Sequence, residues 1–216
     1  MSDLENLFDA HTHHFDSKNR SIVQLTKFLS TDYPAYFSFG IHPKEPTFDL
    51  NEIEQICEHL NLQKGFLAMG EIGLDNRYDS LEKQEELYVF QLKIAAKLHK
   101  PIILHCVNSW DRCRFLHEKY APETTLIYHG FNKASILEPV LSYPKSAISI
   151  GESLLSNQKL QKGLQQIPLE RLFLETDMGN LPLIDTYRTV AEIKNVSLRA
   201  LTDQLNQNAK RIFNYE

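Results

Sequence analysis

The stretch Ser80–Cys106, SLEKQEELYVFQLKIAAKLHKPIILHC, reads as one helix running directly into one strand. It opens on Ser80, a capping residue type, and an acidic first turn follows. Leu87, Phe90, Ile94, Ala95 and Leu98 recur at helical spacing and are expected to face inward. Pro101 forbids continuation of the helix. PIILH is then apolar throughout rather than alternating, as in a parallel strand buried on both faces. It ends on an ionisable residue, His105.

The same unit recurs outward from this stretch. Strands are expected at Leu7–Ala10, Ala35–Ile41, Gly65–Ile72, Pro101–His105, Thr125–His129, Ser146–Ile150 and Arg171–Glu175. Helices are expected at Asn51–Leu62, where Ile53, Ile56, Cys57 and Leu60 share a face, and at Ser80–His99, Ser109–Lys119 and Ser197–Phe213. Ser135 and Glu138 have capping-box spacing, although Pro139 follows at once. Strand and helix in alternation imply right-handed crossovers and a parallel sheet. An open doubly wound sheet and a closed barrel both fit that pattern. Ser21–Leu25 (SIVQL) is a candidate eighth strand, in second place, with the first helix reduced to the loop Phe15–Arg20. The chain has 216 residues, short against the roughly 250 of a typical barrel. One or more missing early helices account for the shortfall. The expectation is a shortened (β/α)8 TIM barrel in a single domain, residues 1–216.

Composition narrows the function classes. Hydrophobic residues make up 42% and charged residues 24%, as in a globular chain with a proper core. The net charge is −5, from 23 basic and 28 acidic residues, so no basic tail advertises nucleic acid and any phosphate contact must be local. Cys57, Cys106 and Cys113 are odd in number and lack CxxC spacing, which argues for a reducing compartment. MSDLENLFDAH has no basic n-region, and no run approaches about 18 apolar residues. The expected setting is the cytoplasm, with no membrane partner.

Ionisable residues gather at the strand ends. His11 and His13 follow the first strand, in LFDAHTHHFD. His42 ends FSFGIHP, Glu71 closes LAMGEIG, His105 ends PIILH, His129 ends TLIYH and Asp177 ends LFLETD. Barrel active sites are assembled on that face from several strand ends. His59, His99 and His117 fall in helices and read as ordinary surface residues. In an extended chain residues i and i+2 point the same way, so His11 and His13 can aim two imidazoles at one ion. Glu71 can bridge two ions through its two oxygens. His105 and His129 can complete a second ion, and Asp177 the first. Such mixed imidazole and carboxylate sets suit Zn, Mn, Fe or Co, and Mg less well.

With these motifs in order, the chain resembles the TatD-related metal-dependent hydrolase family of the amidohydrolase-like barrel group. The resemblance runs from DAHTHHFD through FGIHP, MGEIGLDNRYDSLEKQEELYVFQLKIAAKLHKPIILHC and YHGF to FLETD and NAKRIF. It implies a barrel, two divalent metal ions, and hydrolysis, commonly of DNA phosphodiester bonds. It carries over His11, His13, Glu71, His105, His129 and Asp177 as the metal ligands. The residues beside them depart from the family's usual pattern. The segment between HxH and GIHP is trimmed, Val107-Asn108-Ser109-Trp110 stands where Arg-Asp is usual, His129-Gly130-Phe131 where His-Cys-Phe is usual, and Met178-Gly179-Asn180 where Ala-Pro follows the last Asp.

The expected chemistry is phosphodiester hydrolysis by water activated between two ions. Asp177 and Glu71 are the catalytic carboxylates, Asp177 orienting the water and accepting its proton. His42, Arg77 and Trp110 are the candidate substrate contacts. For each a structural role stands beside the functional one: His42 as a packed histidine, Asp75 and Arg77 as loop scaffolding, Trp110 as a rim residue where stacking on a base is available. Lys44, Arg112 and Lys133 are further candidates for phosphate, His14 reads as a neighbour of the site, and Glu152 as scaffolding. DNA or a small phosphoester is the expected substrate. A small-molecule amidohydrolase or phosphoesterase of the same barrel group is the alternative, and a non-catalytic binding protein the third reading.

Overall fold

A computed structural model describes residues 7–14, 20–25, 32–45 and 49–215. Eight strands form one sheet in the order β1 to β8: β1 Phe8–Thr12, β2 Arg20–Leu25, β3 Phe37–Phe39, β4 Phe66–Asp75, β5 Ile102–Val107, β6 Leu126–Tyr128, β7 Ser146–Ile150 and β8 Leu172–Leu174. A parallel bridge joins Thr12, at the end of β1, to Asp177, just past β8. Sequential order with a link from first strand to last is the strand order of a (β/α)8 barrel. The candidate second strand is present, starting at Arg20 rather than Ser21. Most of the loop expected at Phe15–Arg20 lies outside the described residues, and Arg20 itself is already strand.

The helices are α1 Leu50–Leu60, α2 Leu81–Leu98, α3 Trp110–Tyr120, α4 Leu137–Leu141, α5 Gln158–Leu164, α6 Leu183–Lys194 and α7 Leu198–Phe213. Among the described residues no helix precedes α1. The Asp49 side chain accepts the Asn51 N–H to cap α1, and Ser197 accepts the Ala200 N–H to cap α7. Ser80 is different: it precedes α2 in the left-handed conformation and makes no side-chain cap. Ser109 also makes no cap, and its hydroxyl donates instead to Asn76 Oδ1 at 2.8 Å. The Ser135 region begins as a 3-10 turn, Ala134–Ile136, before the short α4.

The buried face of α2 differs from the one expected. Leu87, Ile94 and Ala95 are buried, but Phe90 and Leu98 are only half-buried. Tyr88 and Leu92 take their place, together with two amides, Gln84 and Gln91. His117, expected at the surface, is fully buried on α3, where Nε2 lies 3.0 Å from Thr124 Oγ1. A polar partner inside is what makes burial of an imidazole acceptable.

Contacts divide the chain into two compact units. The first unit comprises residues 1–23 and 129–216, so it draws on both ends of the sequence. Its core stacks Phe8 against Tyr215 (ring centroids 5.8 Å) and packs Phe8 and Phe173 on Phe213 at 5.9 and 5.6 Å. The buried Tyr187 hydroxyl donates to the Phe8 C=O at 2.9 Å and accepts the Phe8 N–H at 3.2 Å, tying α6 to β1. The second unit, residues 24–128, holds β3 to β6 with α1 to α3. Its β4 strand is buried along its whole length and runs to Asp75, beyond the expected end at Ile72. The register against β5 slips between Met69 and Ile72, and this bulge contains Gly70 and Glu71. Glu71 therefore sits within the strand at an irregularity, not at its end. Bulges re-aim side chains in this way.

Candidate metal centre

In the first unit the end of β1 and the residues past β8 present one set of groups. The Asp177 N–H donates to the His11 C=O at 2.9 Å, and the His13 N–H donates to the Asp177 C=O at 3.2 Å. This ladder fixes all three residues by backbone alone. Asp177 has a φ of +52°, a region that Asp tolerates better than most residues. His11 Nε2 and His13 Nε2 each lie 3.6 Å from the same oxygen, Asp177 Oδ1. The i, i+2 spacing thus aims two imidazoles at one point. The His129 ring centroid is 4.6 Å from that of His11. Ligand atoms of His11, His129 and Asp177 all lie within 4.8 Å of one another.

Buried carboxylates support this set. Asp9 Oδ1 accepts the Thr176 N–H at 3.1 Å and the His11 N–H at 3.3 Å, while Oδ2 accepts the Thr176 hydroxyl at 2.7 Å. Burial raises the Asp9 carboxyl to about 7, against the pull of those donors. Glu175 Oε1 accepts the Gly130 N–H at 2.5 Å and stands 3.7 Å from His129 Nδ1. Burial alone would raise the Glu175 carboxyl, yet His129, His11 and Ser149 hold it below its ordinary range. A carboxylate behind an imidazole fixes the ring and raises its basicity as a ligand.

In the second unit the bulge of β4 points Glu71 at His105, with Oε1 2.5 Å from Nδ1. The other ring nitrogen of His105, Nε2, lies 2.9 Å from Asp75 Oδ2. His42 joins them: its Nε2 is 3.7 Å from Glu71 Oε1, and its ring centroid is 4.2 Å from that of His105. Ligand atoms of His42, Glu71 and His105 again fall within 4.8 Å of one another. The Lys44 N–H donates to His42 Nδ1 at 3.0 Å, leaving Nε2 to face Glu71. Burial and the adjacent His105 lower the His42 imidazole to about 4 despite Glu71. Burial of Asp75 would raise its carboxyl, but Arg77 and His105 hold it far below the usual carboxylate range.

The expected substrate contacts fall in different places. His42 belongs to the Glu71–His105 group. Arg77 is forked onto Asp75, Nη2 to Oδ2 at 2.6 Å and Nε to Oδ1 at 3.0 Å. Trp110 opens α3, half-buried. Arg112 is held by Glu85 at 2.8 and 2.5 Å on the helix surface. Glu152 Oε2 accepts the Asn180 and Leu181 N–H groups at 3.2 and 3.3 Å, holding the loop past Asp177. Beside Asp177 opens a cavity of about 280 Å³ whose lining includes Gly130, Asn132, Glu152, Thr176 and Met178.

Sequence reasoning passed over Asp9, Glu175 and the hold of Asp75 on His105. A usable signal existed for the first two: each stands two residues before a candidate ligand, Asp9 before His11 and Glu175 before Asp177, as same-face strand neighbours do. Both groups of three fit a divalent cation by donor chemistry: imidazole nitrogen with carboxylate oxygen, converging to within one coordination sphere of each other.

Comparison with known proteins agrees with this donor chemistry. An uncharacterised metal-dependent hydrolase of Buchnera aphidicola (subsp. Acyrthosiphon pisum) is 27% identical, over 98% of this chain and 93% of that one. A human protein named 3'-5' RNA nuclease TATDN2 is also 27% identical, over 82% of this chain but 26% of its own length. The crystal structure of YjjV, a TatD homologue from Escherichia coli K12, superposes with a TM-score of 0.83 at 22% identity, covering 100% of each chain, and shares the barrel fold. A family profile described as TatD related DNase matches residues 6–214. The chain belongs to the TatD-related DNase family of metal-dependent hydrolases.

Proposed function

We propose that this protein is a divalent-metal-dependent phosphodiesterase that hydrolyses nucleic-acid strands. The observation that carries the reading is the pair of three-residue groups, His11–His129–Asp177 and His42–Glu71–His105, each an imidazole–carboxylate set. They would hold one ion each, with His13 completing the first. Bound divalent ions supply Lewis acidity, which acidifies water and neutralises charge on a phosphate.

The chain's own residues do the rest. The Asp177 side chain is 37% exposed, against 1% for His11. It is the most exposed member of its set, ahead of His13 at 22%, and it accepts the proton of the attacking water. The water oxygen bonds to phosphorus as the P–O bond to the leaving oxygen breaks, the departing alkoxide takes a proton from solvent, and Asp177 returns its proton to solvent. Glu175 and Asp75 keep His129 and His105 turned toward their sets. The cavity beside Asp177 gives room for one nucleotide-sized group. No transmembrane-length apolar helix occurs among the described residues.

A small phosphoester is the second reading. It is favoured by the engagement of Arg77 with Asp75 and Arg112 with Glu85, and by a cavity lining without a basic residue. The test is hydrolysis of a 5'-labelled single-stranded oligonucleotide beside a panel of phosphomonoesters, in Mn2+ or Mg2+. Shortening of the oligonucleotide, abolished by Glu71→Gln and by Asp177→Asn with unchanged circular dichroism, supports the proposal. Turnover of a monoester with the oligonucleotide intact replaces it with the second reading.

A further inference from the structure

We propose that Gln84 and Gln91 of α2 are positioning residues for the His42–Glu71–His105 group, acting through the backbone. The inference rests on the reading of that group as a metal set. Both side chains are fully buried. Seven residues apart, they share one helix face, about 10.5 Å from each other along the axis.

Gln91 grips one residue from both sides. Its Oε1 accepts the Ile41 N–H at 2.7 Å, and its Nε2 donates to the Ile41 C=O at 3.1 Å. A side-chain amide here does what a neighbouring strand would do for that backbone. Ile41 directly precedes His42. Gln84 repeats the device at the end of β4: Oε1 accepts the Asp75 N–H at 2.9 Å, while Nε2 donates to the carbonyls of Asp75 and Asp79 at 3.3 and 3.2 Å. Asp75 in turn meets His105 Nε2 at 2.9 Å. One amide therefore sets His42 through Ile41, and the other sets His105 through Asp75. Apolar residues at both positions would bury at a smaller desolvation cost. Packing alone does not account for two buried amides that each engage both the N–H and the C=O of one residue beside the group, Ile41 past the end of β3 and Asp75 at the end of β4.

The test uses the full chain, stripped of metal and titrated with Co2+, with affinity read by calorimetry and ligand geometry by visible absorption. Gln91→Met removes both bonds and is expected to weaken Co2+ binding about tenfold, as loss of an outer partner does elsewhere, and to shift the visible band. Gln161→Met is the control: Gln161 Nε2 donates to the Leu154 C=O at 2.9 Å, in the other unit. It is expected to lower the melting temperature and leave Co2+ affinity and spectrum unchanged. If Gln91→Met does not fold, Gln91→Glu decides. It retains the acceptor for the Ile41 N–H and loses the donor to the Ile41 C=O, and a loss of Co2+ affinity with a shifted visible band relative to the wild type supports the proposal. A folded Gln91 variant with wild-type affinity and spectrum overturns it. If the unaltered protein takes up no Co2+, or if Glu71→Gln binds as tightly as the wild type, the metal reading fails and takes the positioning role with it.

Discussion

Replacing Gly73 with alanine tests how closely β4 must approach β5 to bring Glu71 to His105. Gly73 pairs with His105 across the two strands and has a φ of +151°, which L side chains rarely adopt. A methyl built there falls 1.9 Å from the His105 carbonyl oxygen and 3.0 Å from Leu104 Cδ1. Ordinary carbon contacts lie near 3.5 Å, so the strands must separate by about 1.5 Å. The obstacle is backbone, not the end of a flexible side chain, so rotamer change gives no relief. Forcing the unfavourable φ costs about 1–3 kcal/mol, and overpacking adds about 1–3 kcal/mol. Taking roughly 4 kcal/mol together, the melting temperature is expected to fall by about 8–16 °C for a chain of this size. Thermal unfolding of the metal-free protein by circular dichroism measures it. Gly163→Ala is the internal comparison: on α5, the nearest atom is a Leu137 side-chain carbon at 3.2 Å, and helix propensity favours alanine by about 1 kcal/mol. A Gly73→Ala protein melting within about 2 °C of the wild type would refute the close-approach argument.

Three further outcomes are expected. Tyr187→Phe leaves the buried Phe8 N–H and C=O without the hydroxyl that meets both. A loss of about 1–3 kcal/mol in urea unfolding is expected, and no change in the midpoint would contradict it. Asp9 is held to about 7 in the folded protein against 3.8 in its ordinary state. The folded chain therefore binds the extra proton between those values, and this group's contribution falls as pH rises through that window. Asp9→Asn is expected to flatten the stability profile of metal-free protein from pH 4 to 7 relative to wild type, and parallel profiles would exclude the assigned state. Glu175→Gln keeps an acceptor for the Gly130 N–H but removes the charge behind His129. Mn2+ affinity is expected to drop about 10- to 100-fold in equilibrium dialysis, and an unchanged value would mean that His129 needs no such support.

What the sequence disclosed depended on how local each signal was. Ser146–Ile150 is strand from end to end as read, because five apolar or small residues between a proline–lysine turn and a glycine admit little else. The alternation in His11-x-His13 is equally local, and the structure turns both rings to one carboxylate. The bulge in β4 was signalled only by Gly70 and Gly73 on either side of Glu71, and a strand read by hydropathy alone stops early there. Helix α6 has Leu183, Thr186, Tyr187, Val190 and Ala191 at helical spacing, but a threonine in the stripe blurs it. α5, at seven residues, is too short for periodicity to register. His117, Gln84 and Gln91 were placed wrongly or passed over for one reason. Polar residues read as exposed unless a buried partner is known, and their partners lie on other elements.

The ladder between β1 and Asp177 has a consequence for biosynthesis. Thr12 and Asp177 are 165 positions apart, yet each is the other's strand neighbour. At about 5–20 residues per second, roughly 10–30 s of translation separate the emergence of the paired histidines from that of the aspartate. A ribosome-bound nascent chain therefore carries His11 and His13 without the carboxylate they face. The group His11–His129–Asp177 is complete only once position 177 has left the exit tunnel, so a chain truncated before it lacks that group's one carboxylate.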